Sequence, residues 1–196
     1  RWGVGAQHRA SGGVWGRNSV RPVGSGGATP CVRWGLGAQL RASGGVWGRN
    51  TVGQLGDGMA FNRVTPFDID PGWVSVTAGE QHTLGVRTDG SLWGWGYNAS
   101  GQLGQGDYVN RLTPVRVGTA STWKSVSTGW GHTVALRTDG TLWAWGNNSW
   151  GQLGDGTTTT RNVPQQVGSA TWTSVVAGWG HTIGVRTDGT LWVWGL

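Results

Sequence analysis

Residues 123–156 read WKSVSTGWGHTVALRTDGTLWAWGNNSWGQLGDG. At their centre Asp139-Gly140 separates His132–Thr138 from Thr141–Gly146 by a dipeptide that tolerates positive φ, the strongest short-range signal for a β-hairpin. In the second arm Trp143 and Trp145 stand two apart and share a face, while Leu142 and Ala144 take the other. Both faces are apolar, which predicts a strand buried on both sides. Working outward, Trp123 to about Ser127 predicts a strand before the hairpin and Pro164–Val167 a strand after it, giving a four-stranded unit. Each segment is short, β-branched or aromatic, and bounded by Gly, Asn, Asp or Pro, which disfavours helices.

The same text stands at 73–106 as WVSVTAGEQHTLGVRTDGSLWGWGYNASGQLGQG and returns at 172–195 as WTSVVAGWGHTIGVRTDGTLWVWG, with periods of 50 and 49 residues. Asp89-Gly90 and Asp188-Gly189 repeat the turn. A sheet that is apolar on both faces and recurs every fifty residues suits radial stacking of blades, a bulky face of one against a small-residue face of the next. The expected class is therefore all-β, an incomplete β-propeller of about three to four four-stranded blades, with a β-sandwich as the alternative. Composition agrees. Sixteen Trp stand against two Phe and two Tyr, and each buried Trp removes roughly 200 Å² from water, so Trp substitutes for scarce Leu and Ile in a core. The 39 Gly recur beside Trp in a chain only 12% charged, which is turn and close-packing usage and not the signature of disorder.

Charge divides the chain. Residues 1–56 carry seven Arg and no acid, whereas residues 57–196 carry a net −1. Here too RWGVGAQHRASGGVWGRNSV (1–20) recurs as RWGLGAQLRASGGVWGRNTV (33–52), a period of 32 that no fifty-residue blade explains. We divide the chain into degraded, basic repeats at 1–56 and propeller blades at 57–196, with copies starting at Trp73, Trp123 and Trp172. Trp34–Arg41 keeps the spacing of Trp130–Arg137, but the His-Thr and Asp-Gly positions are lost. Our hypothesis is that parts of residues 1–46 are translated out of frame; a coding sequence in which neither alternative frame restores His and Asp-Gly excludes it. The rival reading is a basic arm, since Arg interleaved with Trp suits phosphate contact and base stacking. Cys31 is the sole cysteine, which rules out an internal disulfide and leaves the compartment open. No apolar run approaches a membrane span.

Gly-x-x-His-Thr, Asp-Gly, Leu-Trp-x-Trp-Gly, Asn-x-x-Gly-Gln-Leu-Gly and Arg-x-x-Pro follow one another in this order, and over roughly residues 50–196 they resemble the repeat of the regulator of chromosome condensation family. The resemblance implies a propeller whose complete rings usually hold seven blades, about twice this chain, so that open terminal faces would promote self-association and poor solubility. It also implies binding of another macromolecule and not catalysis. An unidentified protein partner is expected, met by loops that vary between copies. The alternative is guanine-nucleotide exchange on a small GTPase, the activity of the family's founder, although the clear copies carry no inserted wedge. Nucleic acid, through the basic arm, ranks below both, and no cofactor is expected. The Gly-Trp segments are similar to those of an ultraviolet-sensing branch of the family, but Gly131 and Gly180 stand where that branch has Arg, which removes the ionic contacts of its dimer.

His82, His132 and His181 fall at one blade position, a count suited to a metal, yet neighbouring blades hold such positions too far apart for one ion. We expect structural His hydrogen-bonded to backbone. Asp89, Asp139 and Asp188 belong to the hairpin turns, which leaves no catalytic triad. Gly101–Gly106 lacks the following helix a phosphate loop needs. Trp93, Trp95, Trp143, Trp145, Trp192 and Trp194 are expected in the core. The varied loop positions Glu80, Gln81, Tyr97, Trp130, Asn147, Trp150 and Trp179 are the binding candidates, with Trp130 and Trp179 foremost because each sits between two Gly in a turn where strand alternation demands no burial.

Overall fold

The computed structural model describes the backbone of residues 38–40, and residues 45–69 and 71–196 in full. The out-of-frame and basic-arm readings fall largely outside the described residues. Among those described, every regular element is a strand and every pairing is antiparallel.

A leading sheet joins β1 (Ala38–Leu40), β2 (Gly45–Gly48) and β3 (Arg63–Asp68), the last two pairing across residue 56. The first full repeat is β4 (Trp73–Ala78), β5 (His82–Arg87), β6 (Leu92–Gly96) and β7 (Arg111–Arg116), hydrogen-bonded in that order. In the second, β8 (Trp123–Thr128), β9 (His132–Arg137) and β10 (Thr141–Gly146) lead to β11 (Arg161–Ala177), which pairs with β10 and then with β12 (His181–Arg186) of the third. β13 (Leu191–Gly195) completes the set.

The separate strands expected near 164–167 and from Trp172 are thus one. Between the equivalent Val117 and Trp123 the chain has five intervening residues, whereas between Val167 and Trp172 it has four. That missing residue is the difference between the periods of 50 and 49. The shorter link draws Thr171 into register with Thr141, so strand pairing runs through it.

Each hairpin closes through its Asp. Asp139 Oδ1 accepts the Thr141 amide (2.9 Å) and hydroxyl (2.7 Å), and Thr141 Oγ1 accepts Trp143 Nε1–H (2.9 Å), while Gly140 takes φ +82°. Asp89 with Ser91 and Trp93, and Asp188 with Thr190 and Trp192, repeat this chain. The donated bonds hold all three carboxyls below the usual range, led by the Thr141 amide at Asp139 and by the Ser91 and Thr190 hydroxyls at Asp89 and Asp188.

Between repeats the core is shared. Leu84, Val86, Leu92 and Leu103 of the first meet Trp123, Val126, Ala135 and Trp145 of the second. Val134, Leu136, Leu142 and Leu153 of the second meet Trp172, Val175 and Trp194 of the third, and Val46, Leu55 and Ile69 meet Ala78 and Trp95. The Gly-Gln-Leu-Gly loop fastens each junction. Gln102 O, in the loop of the first repeat, accepts Thr133 Oγ1–H (2.8 Å) and Trp145 Nε1–H (2.9 Å) of the second. Gln54 O does the same for Thr83 and Trp95, and Gln152 O for Thr182 and Trp194. Gly104 (φ +73°) follows because a Cβ there would lie 2.7 Å from Trp145 Nε1. The loops are shaped by buried Asn: Asn98 Oδ1 accepts the Leu103 amide (2.9 Å) and Asn148 Oδ1 the Leu153 amide (3.0 Å). A Thr133→Val substitution, which removes one donor to Gln102 O at nearly constant volume, is expected to cost about 1 kcal/mol, read as a lowered urea midpoint.

The six Trp expected in the core divide. Trp95 and Trp145 are fully buried, and Trp93, Trp143 and Trp194 are half-buried. Trp192 departs from the expectation, at 44% exposed. Its equivalents Trp93 and Trp143 lie opposite Arg116 of β7 and Gln166 of β11, whereas no described strand lies outside β13. Arg87, Arg137 and Arg186 are each sandwiched between the Trp that opens a repeat and the first Trp of its hairpin; Arg137 Cζ is 3.7 Å from the Trp143 ring centroid and 4.8 Å from that of Trp123.

Candidate interaction surface

The Gly-x-x-His turns of successive repeats touch. A Cβ on Gly129 would fall 2.4 Å from Gly178 O and 2.3 Å from the His132 ring, so Gly lets one turn lie on the next. Trp130 N donates to Trp179 O across the same junction (3.2 Å). Beside them the loop holding Gln152 crosses from the second repeat to the third and carries Trp150. Three loops therefore bring three indoles together. Ring centroids lie 5.7 Å apart for Trp130 and Trp179, 5.1 Å for Trp150 and Trp179, and 6.4 Å for Trp130 and Trp150, at interplanar angles of 30–44°. Although they shield one another, they remain 39% (Trp130), 36% (Trp150) and 45% (Trp179) exposed.

The remaining loop candidates take equivalent positions in their own repeats. Gln81 O accepts the Tyr97 amide (2.8 Å), and Gly131 O accepts the Asn147 amide (2.8 Å) at the same place in the next repeat. Asn147 Oδ1 also accepts Gln152 Nε2–H (2.8 Å) and the Ser149 amide (3.1 Å), steadying the loop that presents Trp150. In the first repeat Glu80 and Ser100 stand where the second has Trp130 and Trp150, so the three-ring cluster belongs to the junction of the second and third repeats.

The histidines lie beneath these turns. His82 and His132 are buried, and His132 Nε2 reaches Thr182 Oγ1 of the next repeat at 3.2 Å, a side-chain partner where backbone was expected. Burial, reinforced by the neighbouring His132, pushes His82 down to about 3; burial, reinforced by His181, pushes His132 down to about 4. Among the described residues no group of three or more His, Cys, Asp or Glu is arranged to hold a metal ion. The grouping of Trp150 with Trp130 and Trp179 was not read from sequence, because it depends on the loop crossing between repeats; the recurrence of Gly-Gln-Leu-Gly 29–31 residues before the next His-Thr was the available signal.

The model of the regulator of chromosome condensation (RCC1) repeat matches residues 46–86, 89–136 and 139–185, and a second model of the same repeat matches 73–102 and 123–152. The chain belongs to the RCC1 repeat family. Its RCC1 blades form a partial propeller, and solved structures agree on the fold. Human WBSCR16 is 27% identical with a TM-score of 0.70 over 82% of this chain and 45% of its own. Yeast RCC1 (Prp20), solved with Kap60, is 24% identical with a TM-score of 0.68 over 81% and 41%. Prp20p of Saccharomyces cerevisiae, studied with its binding to Gsp1p and histones, is 23% identical with a TM-score of 0.69 over 81% and 42%. This chain thus spans less than half the length of these structures. No curated protein matches it.

Proposed function

We propose that this RCC1 propeller segment is a protein-binding module that works through its blade-connecting loops, with the Trp130–Trp150–Trp179 cluster as anchor. The observation that carries the reading is the exposure of three contacting indoles on loops tied to the core by backbone and Gln152 bonds. Rigid aromatic anchors of this kind supply large contact area at low entropic cost, and such residues dominate interface energetics. Asn147, whose Oδ1 accepts from Gln152 and Ser149, steadies the loop that carries Trp150, and Glu80, Gln81 and Tyr97 are the candidate loop positions of the first repeat. No catalytic role is assigned to any residue.

The test compares proteins retained from a source extract by the immobilised chain and by a folded W130A/W179A double variant. A partner held by the unaltered chain should bind the variant about thirtyfold or more weakly, the loss expected for hot-spot aromatics; equal retention removes the anchor. A second reading, guanine-nucleotide exchange on a small GTPase, draws on the fold shared with Prp20p, a protein studied for Gsp1p binding. Accelerated release of labelled GDP from such a GTPase would support it. The seven Arg of residues 1–56 favour a subsidiary contact with nucleic acid, to be read from the salt dependence of binding.

A further inference from the structure

Away from the exposed cluster, indole pairs of this molecule hold arginine. Arg87 Cζ lies 4.6 Å from the ring centroids of both Trp73 and Trp93, Arg137 Cζ 4.8 and 3.7 Å from those of Trp123 and Trp143, and Arg186 Cζ 5.1 and 3.8 Å from those of Trp172 and Trp192. The Trp123 and Trp143 centroids are 5.9 Å apart, so indoles at that separation can share one guanidinium. Trp130, Trp150 and Trp179 offer the same spacing, 5.1 to 6.4 Å between centroids. Among the described residues, no Lys or Arg lies over any of these three rings.

Charge around the cluster has one sign. The Gly-x-x-His turns lie in a row, since a Cβ on Gly79 would fall 2.8 Å from Gly129 O just as one on Gly129 would fall 2.4 Å from Gly178 O. Along that row the turns carry Glu80, Trp130 and Trp179 in succession. Turns 79–81, 129–131 and 178–180, together with loop segments 97–101 and 147–152, contain Glu80 as their sole charged residue. Glu80 has no salt bridge with a described residue. A cation arriving at these loops therefore meets one carboxylate and three electron-rich ring faces, and no cation in them competes for either.

We infer that the cluster grips an arginine side chain of the partner, so that the protein bound there presents an Arg-bearing segment; this rests on the anchor reading above. The guanidinium lies on an indole face within about 6 Å of its centroid, and Glu80 attracts the same charge from the neighbouring turn. Arginine suits the place better than lysine, because a planar, weakly hydrated guanidinium stacks on a ring at less cost in water than a compact ammonium. Exposure of 36–45% leaves ring surface for that contact.

The probe is acetyl-Gly-Arg-Gly-amide, titrated into the isotope-labelled 196-residue chain, with acetyl-Gly-citrulline-Gly-amide as its uncharged isostere. Indole N–H resonances of Trp130, Trp150 and Trp179, assigned from Trp130→Phe, Trp150→Phe and Trp179→Phe, should shift saturably with the arginine peptide. The citrulline peptide should bind about fivefold or more weakly. Glu80→Gln should weaken the arginine peptide about two- to fivefold and leave the citrulline peptide unchanged, a split that a purely structural Glu80 does not produce. Equal binding of the two peptides, no saturable binding of the arginine peptide, or shifts confined to other indoles would each overturn the inference. Equal peptide binding alongside partner capture that is lost in W130A/W179A removes the preference for arginine and keeps the anchor, whereas undiminished capture by that variant removes the anchor itself.

Discussion

Trp145→Ala is expected to lower the unfolding free energy by about 3–5 kcal/mol, the range for deleting a large aromatic from a close-packed core. Trp145 has no exposed surface and fills the junction between the first and second repeats, edge-on to Trp123 at 5.9 Å. Its loss leaves a cavity walled by Leu84, Leu92 and Leu103, whose backbone is held by the Asn98 loop and cannot collapse far. It also removes one of two donors to Gln102 O. Trp143→Ala makes the matched comparison, because Trp143 is half-buried and bonded to Thr141; about 1–2 kcal/mol is expected there. Urea unfolding followed by far-ultraviolet circular dichroism gives both values. Equal losses would mean that the junction is not where the stability resides.

Acid should unfold the chain well before the turn carboxylates titrate. An imidazole in the unfolded chain takes a proton near pH 6.5, whereas native His82 and His132 resist protonation until about 3 and 4. Above 6.5 neither state binds the proton and stability is complete. Between 6.5 and 4 the unfolded state binds more protons, so each His lowers stability by up to about 1.4 kcal/mol per pH unit. The urea midpoint should be level above pH 7 and fall steeply from about 6 to 4. The depressed Asp89, Asp139 and Asp188 carboxyls act in the same direction, at lower pH. Ring resonances assigned to His82 or His132 that titrate near 6.5 in the folded chain would refute the cause.

Local chemistry made the hairpins legible. Asp139-Gly140 and the alternation around Trp143 and Trp145 are properties of adjacent residues, and the structure forms β9 and β10 where they point. The period then gave the stacking. What stayed hidden depends on neighbours distant in sequence. Trp93, Trp143 and Trp192 are the same letter in the same motif, yet Trp93 and Trp143 lie opposite Arg116 and Gln166 while no described strand lies outside β13. The roles of Gln54, Gln102 and Gln152 were equally invisible, because they act through backbone carbonyls on residues 29–43 positions later. One omitted residue before Trp172 was present in the unequal periods, but only coordinates show that it fuses two strands into β11.

The carbonyl fastening has a direction. The acceptor for each blade is always synthesised before the blade that needs it: Gln54 precedes Thr83, Gln102 precedes Thr133 and Gln152 precedes Thr182. A chain leaving the ribosome therefore never waits for later sequence to receive its newest hairpin, since the docking platform already stands outside the exit tunnel. Among the described residues, growth from the amino end is built into this carbonyl wiring.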